Sequence, residues 1–552
     1  MNSTTSVTQT VRQFRQILLW PLQIVPAEKS DPCMPKHWEF LKQLEPQSPW
    51  QEVTGAFSGD PHTLAEGYYK EFVTFLPYVQ RFLYGESHSQ AGLTGYGDSP
   101  IRLFRHADAA QVRLTYKTDA PPIILTVQRA DLLFFYDIDI IILVVEIVAQ
   151  DLPLTLAQEI LFKFGRAYPA FWNADGQAGQ CFQKVEWLSL TGEVLAISDY
   201  ENREKYLSSV SQYRSPGIAA HWQYLLRPLT LYHATTTGVL RYRQIEYHRM
   251  PLMAYLALDN PCDLTRADFV RLALVTRAGD SDTLPYAEAS LADFERQYCY
   301  DRFWDPHTAN SGLSTRYLCC GHAFLMVGKA GEPFFTDPET GLLGQFRHQY
   351  FLLYLIPHFH KAALHLFSER IVGAISQLDI FRFESVQQFK REIRLSRAAF
   401  LRFAHRYWFH EVSNQAQARD LFKMLTGHLG TDQLYMDVSE AVKEMNQYLD
   451  SDDLRRQANT VTRLTVVTTL SVIGTVVTGF LGMNLFAEAD QPAHIRAIYF
   501  LLVFIPTVLL TFYTVAKSKA LSEFLDAMSN ERLGWLTKTR ALLKVWKKKS
   551  TR

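Results

Sequence analysis

Residues 464–484 read LTVVTTLSVIGTVVTGFLGMN, and wound as a helix their hydroxyls and glycines fall on two neighbouring rows. Thr465, Thr468, Val472, Thr475, Gly479 and Gly482 make one row; Ser471, Gly474 and Thr478 make the other. Small and hydroxyl-bearing residues on a helix do one of two things: they let a second helix approach closely, or they line a path for a hydrated solute. Val466, Leu470, Ile473, Val477 and Phe480 recur at alternating spacings of four and three and form a fully apolar stripe, suited to lipid or to apolar neighbours. The run holds no charged residue and has the length a helix needs to cross a bilayer.

A second uncharged run, 497–516, follows a short connection, so the chain is expected to enter the membrane once and return. Arg455, Arg456 and Arg463 precede the first run. Lys517, Lys519, Arg532, Lys538, Arg540, Lys544, Lys547, Lys548, Lys549 and Arg552 follow the second. The connection offers Glu488, Asp490 and Arg496, so the excess of basic residues on both flanks predicts a multi-pass membrane protein with both termini cytoplasmic and the short loop outside, in a bacterial inner membrane or its equivalent. Across the whole chain 56 Lys and Arg balance 56 Asp and Glu, which gives no electrostatic reason for a nucleic-acid partner. The six cysteines lack a regular spacing and read as reduced thiols. The N-terminal apolar run is interrupted by Pro21 and reads as a strand, not a cleavable signal.

The fold class expected is an α+β cytoplasmic domain followed by a long-helix stalk and two C-terminal transmembrane helices. An N-terminal α/β domain occupies 1–172, and 173–377 is a second α/β region or an extension of the first. Strands are expected at 101–105, 112–115, 123–127, 132–136 and 138–148, flanked by helices at 64–83 and 154–164. Asp137, Asp139 and Glu146 keep the apolar stretch around them out of a bilayer. The glycines of 84–100 read as a loop and lack the spacing of a phosphate-binding fingerprint. Further strands are expected at 192–197, 252–258 and 316–327. Two clusters, Cys319, Cys320 and His322, and His358, His360 and His365, fall short of the four ligands in paired spacings that a structural zinc site uses.

A helical stalk is expected over 378–463. Ser385 with Gln388 reads as a capping box, Gly427 as a left-handed C-cap, and Thr431 with Asp432 as the start of a helix that meets no Pro or Gly before Gly474. Val438, Val442, Met445 and Leu449 mark its buried stripe. The two membrane helices are assigned to 464–516 and a basic cytoplasmic tail to 517–552.

At the outer end of the first apolar run stands Gly482-Met483-Asn484. With an all-helical stalk, two C-terminal spans, a short outer loop and a lysine-rich tail, this tripeptide resembles the CorA family of magnesium and divalent-cation transporters. The resemblance covers 378 to the C-terminus. It implies a funnel-shaped homopentamer whose first spans line one axial pore, with Gly482, Met483 and Asn484 as the ion filter. It also implies a pore wall of Thr468, Val472, Thr475 and Gly479, with Leu464 near an inner hydrophobic gate and the outer-loop acids Glu488 and Asp490 beside the filter. The chain departs from the family pattern at Leu481, where many members carry an aromatic, and in LFAEADQPAH, which lacks the usual Pro-Glu form.

The resulting expectation is a transporter, not an enzyme, whose partners are copies of itself, divalent metal ions and the lipid bilayer. Mg2+ is the first candidate as transported and as regulatory ion, with Zn2+, Co2+ and Ni2+ as alternatives. No GxxxxGK[ST] loop is present, and the membrane potential suffices as driving force: at about 2.3 kcal/mol per charge per 100 mV a divalent ion gains roughly 4.6 kcal/mol on entry. Proton-coupled zinc transport within the same superfamily, and a membrane-anchored cytoplasmic receptor or enzyme, are the competing readings. Asp437, Glu440 and Glu444 on one stalk face, and Asp450, Asp452 and Asp453 nearer the membrane, are open either to a regulatory ion or to surface pairing with residues such as Lys443.

Overall fold

In the computed structural model the described residues are 9–26, 38–44, 48–53, 66–86, 99–117, 120–135, 137–234, 240–245, 248–279, 284–307, 311–379, 382–482 and 492–516. Two compact units divide at Ala441 and Val442.

The first unit is built on one mixed sheet. Its strands in chain order are β1 Thr10–Pro26, β2 Trp50–Glu52, β3 Ile101–His106, β4 Gln111–Thr115, β5 Ile123–Phe135, β6 Ile140–Pro153, β7 Lys184–Leu188, β8 Val194–Ile197, β9 Thr230–Leu231, β10 Leu240–Gln244, β11 Leu252–Leu258, β12 Cys299–Tyr300, β13 Arg316–Cys319 and β14 Ala323–Lys329. The main path runs β12-β13-β14-β11-β1-β6-β5-β4-β7-β8, with β10 on β1 and β3 on β5. Strands from both 1–172 and 173–377 therefore share one sheet. The 17-residue β1 is its spine: it pairs antiparallel with β6 from Thr10↔Pro153 to Gln23↔Ile140, and its other edge meets β11 and then β10. The length and apolar density of β1 and β6 suit strands covered on both faces. Helix Gln349–Ser376 packs on β1 and β6, and Phe359 from this helix stacks on Phe135 of β5 at 4.2 Å between centroids.

Several expected boundaries move, each for a visible reason. The strands expected at 123–127 and 132–136 are one strand, β5, because the charges that look like a break are paired across the sheet: Arg129 Nε lies 2.9 Å from Glu146 Oε2, and Asp131 accepts from Arg105 Nε at 2.7 Å and from its Nη2 at 2.9 Å. The extra length of β5 is absorbed by a register shift between Val127 and Arg129. The helix expected over 64–83 is two, Glu66–Thr74 and Pro77–Tyr84, since Pro77 has no N–H to continue the first and opens the second. The single strand expected over 316–327 is a hairpin of β13 and β14, turned at Gly321 with φ +77°.

The next helix starts at Phe383 and ends at Arg406. Ser385 is not its cap: the hydroxyl donates to Gln377 O at 2.9 Å and accepts the Asp379 N–H at 2.8 Å. The helix Ala416–Leu429 ends on Gly430 at φ +64°, so Gly430, not Gly427, supplies the left-handed cap. Gly-rich residues 87–98 lie outside the described residues.

Thr431–Gly482 is one unbroken helix of 52 residues. Val438 and Leu449 are buried on it, with Val442 and Met445 half-buried between them, which is the stripe its spacing predicts. In the second unit this helix is followed by Ala493–Ala516, and within that helix Ala493–Leu510 is the one window among the described residues long and apolar enough to cross a membrane, with none of it buried.

Candidate functional site

The uncharged end of the long helix carries its hydroxyls in a consistent geometry. Thr465, Thr468, Thr469, Ser471, Thr475 and Thr478 each donate to the carbonyl four residues back, at 2.8 or 2.9 Å. A hydroxyl has one hydrogen and two lone pairs, so a proton turned onto the helix leaves only acceptor capacity on the outer side. Thr468, Thr475 and Gly479 are exposed, as are Leu464 at 66% and Val472 at 60%. With 100° per residue, Leu464, Thr468, Val472, Thr475, Gly479 and Gly482 fall within about 80° of one another around the axis.

The other small-residue row does different work. A β-carbon built on Gly474 would lie 2.9 Å from Thr507 Cγ2, whereas one on Gly479 or Gly482 would meet nothing within 4 Å. Gly474 therefore lies close against helix Ala493–Ala516, and Val466, on the apolar stripe, is 2% exposed. The spacing of small residues left both rows open to either role; the pairing of Gly474 with Thr507 is missing from the sequence reading because it needs the second helix in place. Gly482 ends the described part of the helix. Met483, Asn484, Glu488, Asp490 and the basic tail lie outside the described residues.

On the long helix Asp437 accepts from Gln433 Nε2 at 2.8 Å and Asp450 from Asn446 Nδ2 at 3.0 Å, so amide neighbours one turn back, not Lys443, hold them. No group of three or more His, Cys, Asp or Glu among the described residues is arranged to hold a metal ion. His358 and His360 are buried, and each places Nε2 on a backbone carbonyl, Gly321 O at 3.1 Å and Tyr407 O at 2.6 Å. Burial lowers the His360 pKa to about 3, keeping it neutral, and burial pushes the Cys319 thiol up to about 12.

Three arginines of the first unit surround Glu146 on β6, which is fully buried. Arg15 Nη1 donates to Glu146 Oε1 at 3.0 Å, Arg129 stands on the other oxygen, and Arg347 Nε lies 3.6 Å from Oε1. Burial alone would raise this carboxyl, but Arg129, Arg347 and Arg15 outweigh it and hold the group below the usual carboxylate range. The cluster ties β1, β5 and β6 to the residues that lead into helix Gln349–Ser376.

No curated protein and no solved structure matches the chain. A family model does match, over residues 361–517, and the match takes in the end of helix Gln349–Ser376, the two shorter helices, the long helix and Ala493–Ala516. The model is that of the CorA-like Mg2+ transporter protein family, and residues 361–517 of this chain are what is similar to it.

Proposed function

We propose that the chain is a membrane transporter of divalent cations, most of all Mg2+, that conducts through an axial pore shared by five copies. The family match over 361–517 carries this reading. Residues 464–482 and Ala493–Ala516 are taken as two spans, both termini cytoplasmic and the intervening loop outside, in agreement with the basic flanks. Two helices cannot surround a hydrated ion, so several copies of the first must converge.

The pore wall is assigned to Leu464, Thr468, Val472, Thr475 and Gly479. Three observations support that face over its alternatives: it is exposed in the single chain, it lies away from the Gly474 contact with Thr507, and its hydroxyls offer acceptors. Mg2+ dehydrates reluctantly and presents the hydrogens of its bound waters, which need acceptors. Gly482, Met483 and Asn484 form the filter, where five carboxamide oxygens accept from coordinated water without stripping the shell. Glu488 and Asp490 raise the local cation concentration at the entrance.

Purified protein in vesicles, loaded in parallel with Mg2+, Zn2+, Co2+ and Ni2+ at fixed membrane potential, tests the reading. Potential-driven Mg2+ uptake is the expected result. Zinc uptake that follows an imposed proton gradient would replace it with proton-coupled zinc transport, and absence of flux for all four ions would reduce the two helices to an anchor.

A further inference from the structure

The first unit holds a cavity of about 340 Å³ that transport does not use. Its walls come from segments far apart in the chain: the residues after β4, the end of helix Leu154–Lys163, the loop 171–181, and the residues after helix Arg266–Leu274. The volume is that of a site for a small organic molecule.

Its charge is positive. Lys117, Lys163 and Arg277 line it against Glu201 alone. Just behind, Glu159 holds Lys163 Nζ at 3.2 Å and Arg277 Nε at 3.8 Å, so one buried carboxylate is divided between two of the cations. Lys117 is exposed and makes no ion pair among the described residues; its Nζ stands 5.5 Å from the Tyr116 ring centroid. Arg166 lies under the wall, with its guanidinium 5.0 Å from the Phe162 ring centroid. Arg166 is 2% exposed, and its guanidinium bonds Phe162 O and His248 Nδ1, neither of them a carboxylate.

The cavity also offers flat apolar faces and amides. Phe171 is 47% exposed at the rim and rests on Gly179, where any side chain would collide with the ring. The loop that carries it is fixed by the Gly179 N–H on Phe171 O at 2.7 Å and the Asn173 N–H on Gln177 O at 2.9 Å. Asn173, Gln177 and Gln180 add carboxamides to the same wall. Rings for stacking, amides that both donate and accept, and cations not fully neutralised are the requirements of a ligand with a heteroaromatic ring and an anionic tail.

We propose that this cavity binds a nucleoside phosphate, its base against Phe171 and the loop amides and its phosphates toward Lys117 and Lys163. The site lies wholly in the first unit and is independent of the transport reading. Calorimetric titration of the full chain in detergent, in EDTA, with ADP, adenosine and inorganic phosphate as separate probes, tests it. The expected result is saturable ADP binding near one per chain, with adenosine and phosphate each at least about tenfold weaker. Phe171→Ala and Lys117→Ala should each weaken ADP by about tenfold at an unchanged melting temperature, the size expected for one lost stacking or phosphate contact. No ADP binding at millimolar concentration, phosphate binding as tightly as ADP, or ADP binding unaltered in both variants would each overturn the proposal.

Discussion

Gly474 of the long helix lies against Thr507 of the helix that follows it: a single β-carbon on the glycine would sit 2.9 Å from Thr507 Cγ2. That distance is under any ordinary carbon–carbon contact, so a side chain there must push the helices apart or displace the threonine. The contact separates two kinds of glycine in one apolar run, one that seats a neighbour and others that face open space.

Gly474→Val should accordingly destabilise the helix pair, by about 1–3 kcal/mol as in overpacked interiors, while Gly479→Ala should leave stability within about 0.5 kcal/mol. Melting of the detergent-solubilised protein measures both. Equal losses for the two would place the helix contact elsewhere.

Thr475 tests the wall. Thr475→Val keeps the shape and removes the acceptor oxygen, and Mg2+ flux should fall several-fold with assembly unchanged; Thr475→Ser should restore most of it. If valine and serine give the same flux, the hydroxyl faces no ion path.

Asn484 tests the filter. A substitution-inert hexaammine complex, which mimics a hydrated divalent ion but cannot release its ligands, should block uptake from outside, and Asn484→Ala should abolish selective flux. Unaffected uptake in the presence of the complex would favour direct coordination of a partly dehydrated ion.

Glu146 should be the most sensitive charge in the first unit. Glu146→Gln leaves Arg15, Arg129 and Arg347 crowded without their carboxylate and should cost about 3–5 kcal/mol. Because this carboxyl titrates below its unfolded value, its stabilisation is full above the ordinary glutamate pKa of about 4.3 and is lost as pH falls further. Denaturant unfolding of wild type and variant at neutral pH and near pH 3 should show the gap closing in acid.

Two buried histidines predict a loss that starts earlier. Burial lowers His221 and His360 to about 3 each, against about 6.5 in an unfolded chain. Between those values the unfolded state binds more protons, so stability falls as pH drops below about 6.5, at roughly 1.4 kcal/mol per unit for each group. An unfolding midpoint that stays level from pH 7 to pH 5 would contradict the neutral assignment.

Features set by short-range rules were legible in the chain. The unbroken helix from Thr431, the helix beginning at Leu154 and strand β11 follow from uninterrupted periodicity or apolar density. The break at Pro77 and the cap at Gly430 rest on local signals, but two other misplaced readings share a cause, partners outside the local pattern. Arg129 and Asp131 look like a loop until Glu146 and Arg105 are beside them, and Ser385 looks like a cap until Gln377 and Asp379 take its hydroxyl. The cavity over Phe171 was illegible for the same reason, since no local pattern announces that Lys117 and Arg277 share a wall.

The hydroxyl row has a consequence for anions. Thr468, Thr475 and their neighbours direct every side-chain proton back onto their own helix, so a chloride or phosphate ion travelling along that face would meet lone pairs and no donor. A wall without a single formal charge would then discriminate by sign, and would do so without holding the cation in place as a ring of carboxylates does.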